Sequence, residues 1–414
     1  MATKRDLPHP SELREFGEAV AGHAGTLIDA DGCLFIKPCV QAEIDFYAQV
    51  NDGSHPALAD IMPLYMGSLS LNETSAAPVD GVGAVPPEAQ QVISEFVQQQ
   101  QQPTPVAPAA PVDDVTWVPR GSQSIKTDRA VVLDNATHGF VKPNVLDVKL
   151  GRRLWGDAAP LQKRQRMDEV SKQTTHNKYG FRIAGMRVYE GPDKGYRMYD
   201  KDFGRKEVND DNVVDAFRQF LCNTSAGVDA EHSQAIALAF KSDLERVRDV
   251  LESERTRMYS SSLLFVYEGD GAALKTAVAQ GNAQAEEEEI MVRVIEAEAE
   301  CEEPGLTDDV DEATLRARSR RMGKAADRSS SRTDSGIVID DDDLVEEAPG
   351  QANSVDDEAF GDDDSDDESS MPHIYCLRLI DFAHAKFVAP EDGPDENNLP
   401  GVRSLIDIFD ELSK

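Results

Sequence analysis

The chain has 414 residues, with 42 Lys and Arg against 77 Asp and Glu, a formal net charge of −35. That acidity argues against general coating of nucleic acid, which needs clustered cations. No apolar run approaches the roughly 18 residues of a membrane-crossing helix, and Met1–Pro10 lacks the apolar stretch of a secretory signal. The hydrophobic share of 40% still supports a core, and the five cysteines, without metal or disulfide spacing, point to a reducing compartment.

In chain order, Thr26–Asp29 and Cys33–Lys37 flank Ala30–Asp31–Gly32 and predict a hairpin. Glu43, Phe46, Tyr47 and Val50 follow at helical spacing, with Phe46, Tyr47 and Val50 expected inward. Ile61–Tyr65 and Ala130–Leu133 read as further strands of a small sheet. Val145–Leu150 alternates, so that Asp147 and Lys149 share one strand face. Pro160–Lys172 predicts a helix with Pro160 near its first position and Asp157 as a cap, placing Lys163 and Arg166 on one face. Asn212–Leu221 and Ser233–Glu252 predict longer helices, Ser261–Tyr267 and Ile374–Ile380 strands, and residues 401–412 a final amphipathic helix. The sum is an α+β chain in two lobes.

Charge is strongly segregated along this order. Residues 285–369 carry 30 acidic and 8 basic side chains, and such self-repelling runs are expected to stay disordered. Within them Arg316–Arg332 reads equally as a nuclear-import signal or a charged linker, and Ser365, Ser369 and Ser370 suit acid-directed phosphorylation. Residues 73–112, with Gln98–Gln102 and Pro103, Pro105, Pro108 and Pro111, read as a flexible linker. By contrast residues 142–206 hold 16 basic and 8 acidic residues, a local excess that a polyanionic ligand would explain.

Neither a P-loop nor a dinucleotide-binding fingerprint occurs, and no cysteine–histidine set suggests zinc. What remains is an early strand lysine, a mid-chain Asp-x-Lys strand and a late strand ending in Asp381. Phosphoryl transfer needs such groups: cations on the nucleotide phosphates, a carboxylate on the metal and polar groups on the acceptor hydroxyl. Taken singly, Lys37 reads as a solvated edge residue, Asp147–Lys149 as a cross-strand ion pair, Asp381 as a strand end, and Lys163 with Arg166 as a solvated helix face. Together, in this order, they point to a site.

Pro143–Gly151 resembles the P-x-x-x-D-x-K-x-G signature of the inositol polyphosphate kinase family. Ser261–Leu264 is similar to its SSLL element, and Ile380–His384 to its I-D-F-A-H element. Val20–His23 and Lys37–Pro38 with Glu43, Phe46 and Tyr47 resemble it as well. Trp155–Tyr189 looks most like the fungal and plant multikinases. Ala385 departs from the threonine of many relatives and is expected to modulate substrate contact.

The resemblance implies a two-lobed inositol polyphosphate kinase fold, protein-kinase-like and related to ATP-grasp, with disordered inserts. The N-lobe would span 8–136, broken by the insert at about 73–112. The C-lobe would span 137–284 and 371–414, with an inositol phosphate-binding segment at about 152–190 and the acidic insert at 285–370. It implies that Asp147, Lys149 and Asp381 are catalytic. Lys37, Asp134, Ala136, Asp147 and Asp381 would hold ATP, with Asp134 and Ala136 touching adenine chiefly by backbone. Lys149, Lys163, Arg166, Lys172, Arg187 and His384 would hold substrate, and Asp381 with Ser262 would serve Mg²⁺. The implied activity is ATP- and Mg²⁺-dependent conversion of inositol trisphosphate to tetrakis- and pentakisphosphate, by a monomer in nucleus and cytoplasm. The three core motifs leave open an inositol hexakisphosphate kinase or a trisphosphate 3-kinase, the latter disfavoured by the lack of a calmodulin-binding arm. A different class is a nuclear scaffold meeting transcription partners through the acidic and Gln/Pro segments.

Overall fold

In a computed structural model of the chain, the described residues are 13–17, 20–21, 25–70, 127, 129–283 and 373–414. Gly22 and His23, the 73–112 linker and the 285–369 acidic segment lie outside them. Met1–Gly271 with Tyr375–Lys414 form one compact unit and Ala272–Ile374 a second. The described part of the second is a helix continuing to residue 283, with Leu274 and Val278 buried, and residues 373–374.

The first unit contains two five-stranded antiparallel sheets. The N-terminal sheet comprises β1 (Arg14–Glu15), β2 (Leu27–Ile28), β3 (Leu34–Pro38), β4 (Tyr65–Ser70) and β5 (Arg129–Asp134), in the order β1-β2-β3-β5-β4. The hairpin around Asp31–Gly32 is present as β2 and β3, Gly32 taking the positive φ of 76° that its turn requires. Leu34, Ile36, Ala130 and Val132 form this lobe's buried cluster. Helix α1 (Gln41–Val50) buries Phe46, Tyr47 and Val50 as its periodicity predicts, and also buries Glu43. The strand expected at Ile61–Tyr65 lies later: Ile61 and Met62 close a short helix, α2 (Pro56–Asp60), and pairing begins only at Tyr65. Pro63 has no amide hydrogen for a ladder, which accounts for the delay.

The C-terminal sheet runs β11-β10-β6-β7-β8, from β6 (Pro143–Leu150), β7 (Phe181–Tyr189), β8 (Tyr196–Tyr199), β10 (Ser262–Glu268) and β11 (Tyr375–Ile380). Strand β7 runs between β6 and β8 with all nine residues buried and had no counterpart in the sequence reading. A strand covered on both faces loses the alternation that marks a half-exposed one. Two short strands, β9 (Thr256–Met258) and β12 (Ala385–Phe387), pair separately.

Helix α3 (Leu161–Lys172) begins one residue after Pro160, and Asp157 is not its cap. Asp157 instead binds Arg153 and, at 2.6 Å, Lys386. A one-turn helix, α4 (His176–Tyr179), leads into β7. Helices α5 (Val213–Leu221), α6 (Ala230–Ser253) and α7 (Leu399–Leu412) follow the sequence expectation closely. They cover the sheet through packed rings: Phe265 stacks on Phe409 at 5.2 Å and meets Phe240 edge-on at 5.1 Å. Each such buried ring contributes roughly 1.5–3 kcal/mol.

Candidate active site

Residues of β3, β5 and β6 and the end of β11 meet at a cavity of about 130 Å³ between the two sheets, lined by Lys37, Tyr47, Leu133, Asp134, Asp147 and Asp381 among others. From β3, the Lys37 ammonium donates to Asp381 Oδ1 at 2.6 Å and to Glu43 Oε1 at 2.7 Å. Burial opposes its charge, but Asp381, then Glu43 and Tyr47, outweigh that and raise its pKa above the ordinary lysine range. Glu43 is 1% exposed and also accepts the Phe382 amide at 3.1 Å, tying β3 to the residue after Asp381.

Asp381 leaves β11 with φ of 71°, a left-handed conformation that costs an aspartate roughly 1–3 kcal/mol. Among the described residues the other non-glycine in that region is Ser260, at φ 63°. Both serve the same place: the Ser260 carbonyl accepts Lys149 Nζ at 2.7 Å, while Asp381 Oδ2 lies 3.7 Å from that ammonium. Lys149 thus bridges β6, the turn before β10 and the end of β11.

On β6 the alternation holds. Asp147 pairs with Leu264 on one side and Gly185 on the other, and Lys149 with Ser262 and Arg182. A bulge between Asp147 and Val148 sets which β7 side chain faces each of them. Asp147 is 6% exposed. Burial, reinforced by Asp381, pushes its pKa up to about 6 against the pull of Lys149, Ser262 and Arg182. Its Oδ1 has no hydrogen-bond partner, and neither does the buried Ser262 Oγ. Two orphaned oxygens beside a partly exposed carboxylate suit a hard, oxygen-ligated cation. No cluster of three metal-ligating side chains occurs among the described residues. A divalent ion would therefore rely on Asp381 plus phosphate oxygens of a nucleotide.

At the hinge, Asp134 is committed to the strand end: its amide donates to Leu64 O at 3.1 Å, and its Oδ1 accepts Leu64 N–H at 2.6 Å. Ala136 lines the cleft beside it.

The expected substrate residues divide. His384 sits beside Gly156, where a Cβ would come within 3.4 Å of the ring, and burial followed by Lys163 lowers its pKa. The Lys163 charge therefore acts on the His384 ring. Arg166 lies one turn along the Lys163 face, exposed. Lys172, nine residues on, is about 180° round the helix and points elsewhere. Arg187 stands opposite Val145, about 13 Å along β6 from Lys149, with its guanidinium 4.5 Å over the Tyr196 ring. The guanidinium placed opposite Lys149 is Arg182, which sequence reasoning missed. Glu43 carried a family resemblance, but its bond to Lys37 was not foreseen. The only signal for Arg182 was the basic excess of its segment.

A family model described as inositol polyphosphate kinase matches residues 130–410. The chain is 30% identical to an inositol polyphosphate multikinase of Saccharomyces cerevisiae, over 96% of this chain and 98% of the relative. It is 33% identical to inositol hexakisphosphate kinase 3 of Mus musculus, over 35% of each chain. A crystal structure of an inositol phosphate multikinase from S. cerevisiae, in complex with ADP and Mn²⁺, superposes with a TM-score of 0.51 and 24% identity, covering 92% of this chain and all of that one.

Proposed function

The chain belongs to the inositol polyphosphate kinase family, and from that premise we propose that it is an ATP-dependent multikinase converting inositol trisphosphate to tetrakis- and pentakisphosphate. The observation that carries this is the convergence of Lys37, Asp147 and Asp381 on one cleft, with Lys149 3.7 Å from Asp381, in a chain similar to a multikinase along almost its whole length.

In this reading the nucleotide enters between the sheets and its phosphates take over the Asp381 side of Lys37. Asp381, with the Ser262 hydroxyl nearby, would hold Mg²⁺, which would supply charge neutralisation at the nucleotide phosphates. Lys149, anchored on the Ser260 carbonyl, presents its ammonium to the transferred phosphoryl group. Asp147 orients the acceptor hydroxyl and accepts its proton, for which a pKa of about 6 suits neutral pH. Lys163, Arg166 and His384 hold substrate phosphates from the β11 side. Ala136 and the hinge backbone take the adenine.

Incubation of the purified protein with ATP, Mg²⁺ and inositol trisphosphate, with products resolved by anion-exchange chromatography, tests this. Tetrakis- and pentakisphosphate are expected. Conversion of hexakisphosphate but not trisphosphate would instead identify a hexakisphosphate kinase. Unchanged inositol phosphate profiles in cells carrying Asp147→Ala with Lys149→Ala would favour a scaffold role for the acidic and Gln/Pro segments, together with residence in the nucleus.

A further inference from the structure

Arg182 and Arg205 form an arrangement that these roles do not use. Arg182 is 4% exposed and stands opposite Lys149 across the β6–β7 ladder. Its Nη1 donates to Ile183 O at 2.9 Å, its Nε has no partner, and it forms no ion pair among the described residues. A buried guanidinium without a carboxylate at contact distance is costly.

A second guanidinium increases that cost. The segment Phe203–Glu207 is a π-helical turn packed on β7. Gly204 lies so close to the Ile183 carbonyl that any side chain there would clash. Lys206 is paired with Asp202 at 2.7 Å, whereas Arg205, exposed, makes no hydrogen bond or ion pair among the described residues. Burial and then the nearby Arg205 charge pull the Arg182 pKa down to about 10, with Asp147 opposing.

A solvated surface patch would keep like charges apart and fully in water. Here one cation is buried with only the more distant Asp147 opposing its charge, and a π-helical turn packed on the same strand carries the other near it. An interposed phosphate would turn repulsion into two charge-assisted, forked contacts.

We propose that Arg182 and Arg205 form an anion subsite on the β7 side of Lys149, receiving a phosphate of the inositol phosphate remote from the reacting hydroxyl. The proposal rests on the reading of the chain as an inositol phosphate kinase and adds a second wall to its substrate site. Lys163 and His384 gather beyond β11, while this pair lies across β6, so the ring is gripped from both flanks of Lys149.

The test uses the full chain as wild type, Arg205→Gln and Arg205→Lys. Calorimetric binding of inositol trisphosphate without nucleotide is measured beside KM for both substrates and the thermal midpoint. Arg205→Gln is expected to weaken inositol trisphosphate binding and raise its KM roughly tenfold, the effect of losing one hydrogen bond to a charged group. KM for ATP and the midpoint should not move, and Arg205→Lys should recover most of the loss. A wild type that binds inositol trisphosphate while Arg205→Gln binds it within twofold overturns the subsite and leaves the kinase reading standing. A wild type that neither binds nor phosphorylates inositol trisphosphate overturns the kinase reading together with the subsite.

Discussion

At the scale of single residues, the site is built from unfavourable states held in place by their neighbours. Asp381 and Ser260 occupy left-handed conformations, and Asp147 is a buried carboxyl with an unpartnered oxygen. Its folded pKa of about 6 lies above the ordinary 3.8, so the native protein takes up this proton first as pH falls. Ionised Asp147 therefore costs stability, a cost that grows as pH rises from about 4 to 6 and stays constant above, on the order of 3 kcal/mol. Asp147→Asn is expected to lower kcat by about 10²–10⁴ while raising the thermal midpoint at pH 7.5 by several degrees, read by calorimetry. In the wild type, kcat should fall as pH drops below about 6, where Asp147 gains a proton, and that limb should be measured with inositol trisphosphate saturating. Glu43 acts through Lys37 and the Phe382 amide rather than on substrate. Glu43→Gln is expected to raise KM for ATP roughly tenfold, leaving KM for the inositol phosphate near wild type in steady-state kinetics. None of these states was legible in the sequence: Glu43 and Lys37 are six residues apart, but Asp381 is 344 residues from Lys37.

At the scale of elements, α3 shows how the helix carrying Lys163 and Arg166 is fixed. The Trp155 ring lies between guanidiniums, with Arg153 3.8 Å and Arg164 4.8 Å from its centroid, and its Nε1 donates to Asp168 of α3 at 2.6 Å. Arg164 also donates to the Ala159 carbonyl at 2.7 Å and to the Asp157 carbonyl at 2.5 Å. The indole thus pins the helix that carries Lys163 to the loop that cradles His384. Trp155→Ala is expected to raise KM for inositol trisphosphate about tenfold with KM for ATP unchanged, and Trp155→Phe to give an intermediate value by keeping the stack and losing the Asp168 bond. A KM for ATP that rose equally would mean general loosening of the fold. Periodicity found α3, α5, α6 and α7 because each has one solvent face. It missed β7, with no solvent face, and put a strand across Pro63.

At the scale of the whole molecule, a ring ladder ties the two lobes together. Tyr65 stacks on Tyr47 at 5.5 Å, Tyr47 meets Phe382 edge-on at 5.2 Å, and Phe46 stacks on both Phe382 and Phe387 at 5.1 and 5.2 Å. His55 continues it onto Phe387 at 4.1 Å and bonds Glu254 at 2.9 Å. Together with Glu43 and Lys37, this ladder links the Asp381 loop to α1. The net charge of −35 belongs elsewhere, since 285–369 holds most of it and none of the site residues. Replacing 285–369 by a short Gly/Ser linker is expected to leave kcat/KM for inositol trisphosphate within about twofold, by the same product assay, and to raise the isoelectric point.

The main helices, the strands carrying Lys37, Asp147 and Lys149, and the end at Asp381, with the basic middle segment and the acidic one, were determined by sequence alone. These are local properties, set by residue type and spacing within a few residues. Tertiary structure alone decided that Glu43 holds Lys37, that a bulge sets Arg182 rather than Ile183 opposite Lys149, and that Lys172 faces away from Lys163's side. Those outcomes depend on strand register and helix rotation, which arise only when distant segments pack against one another.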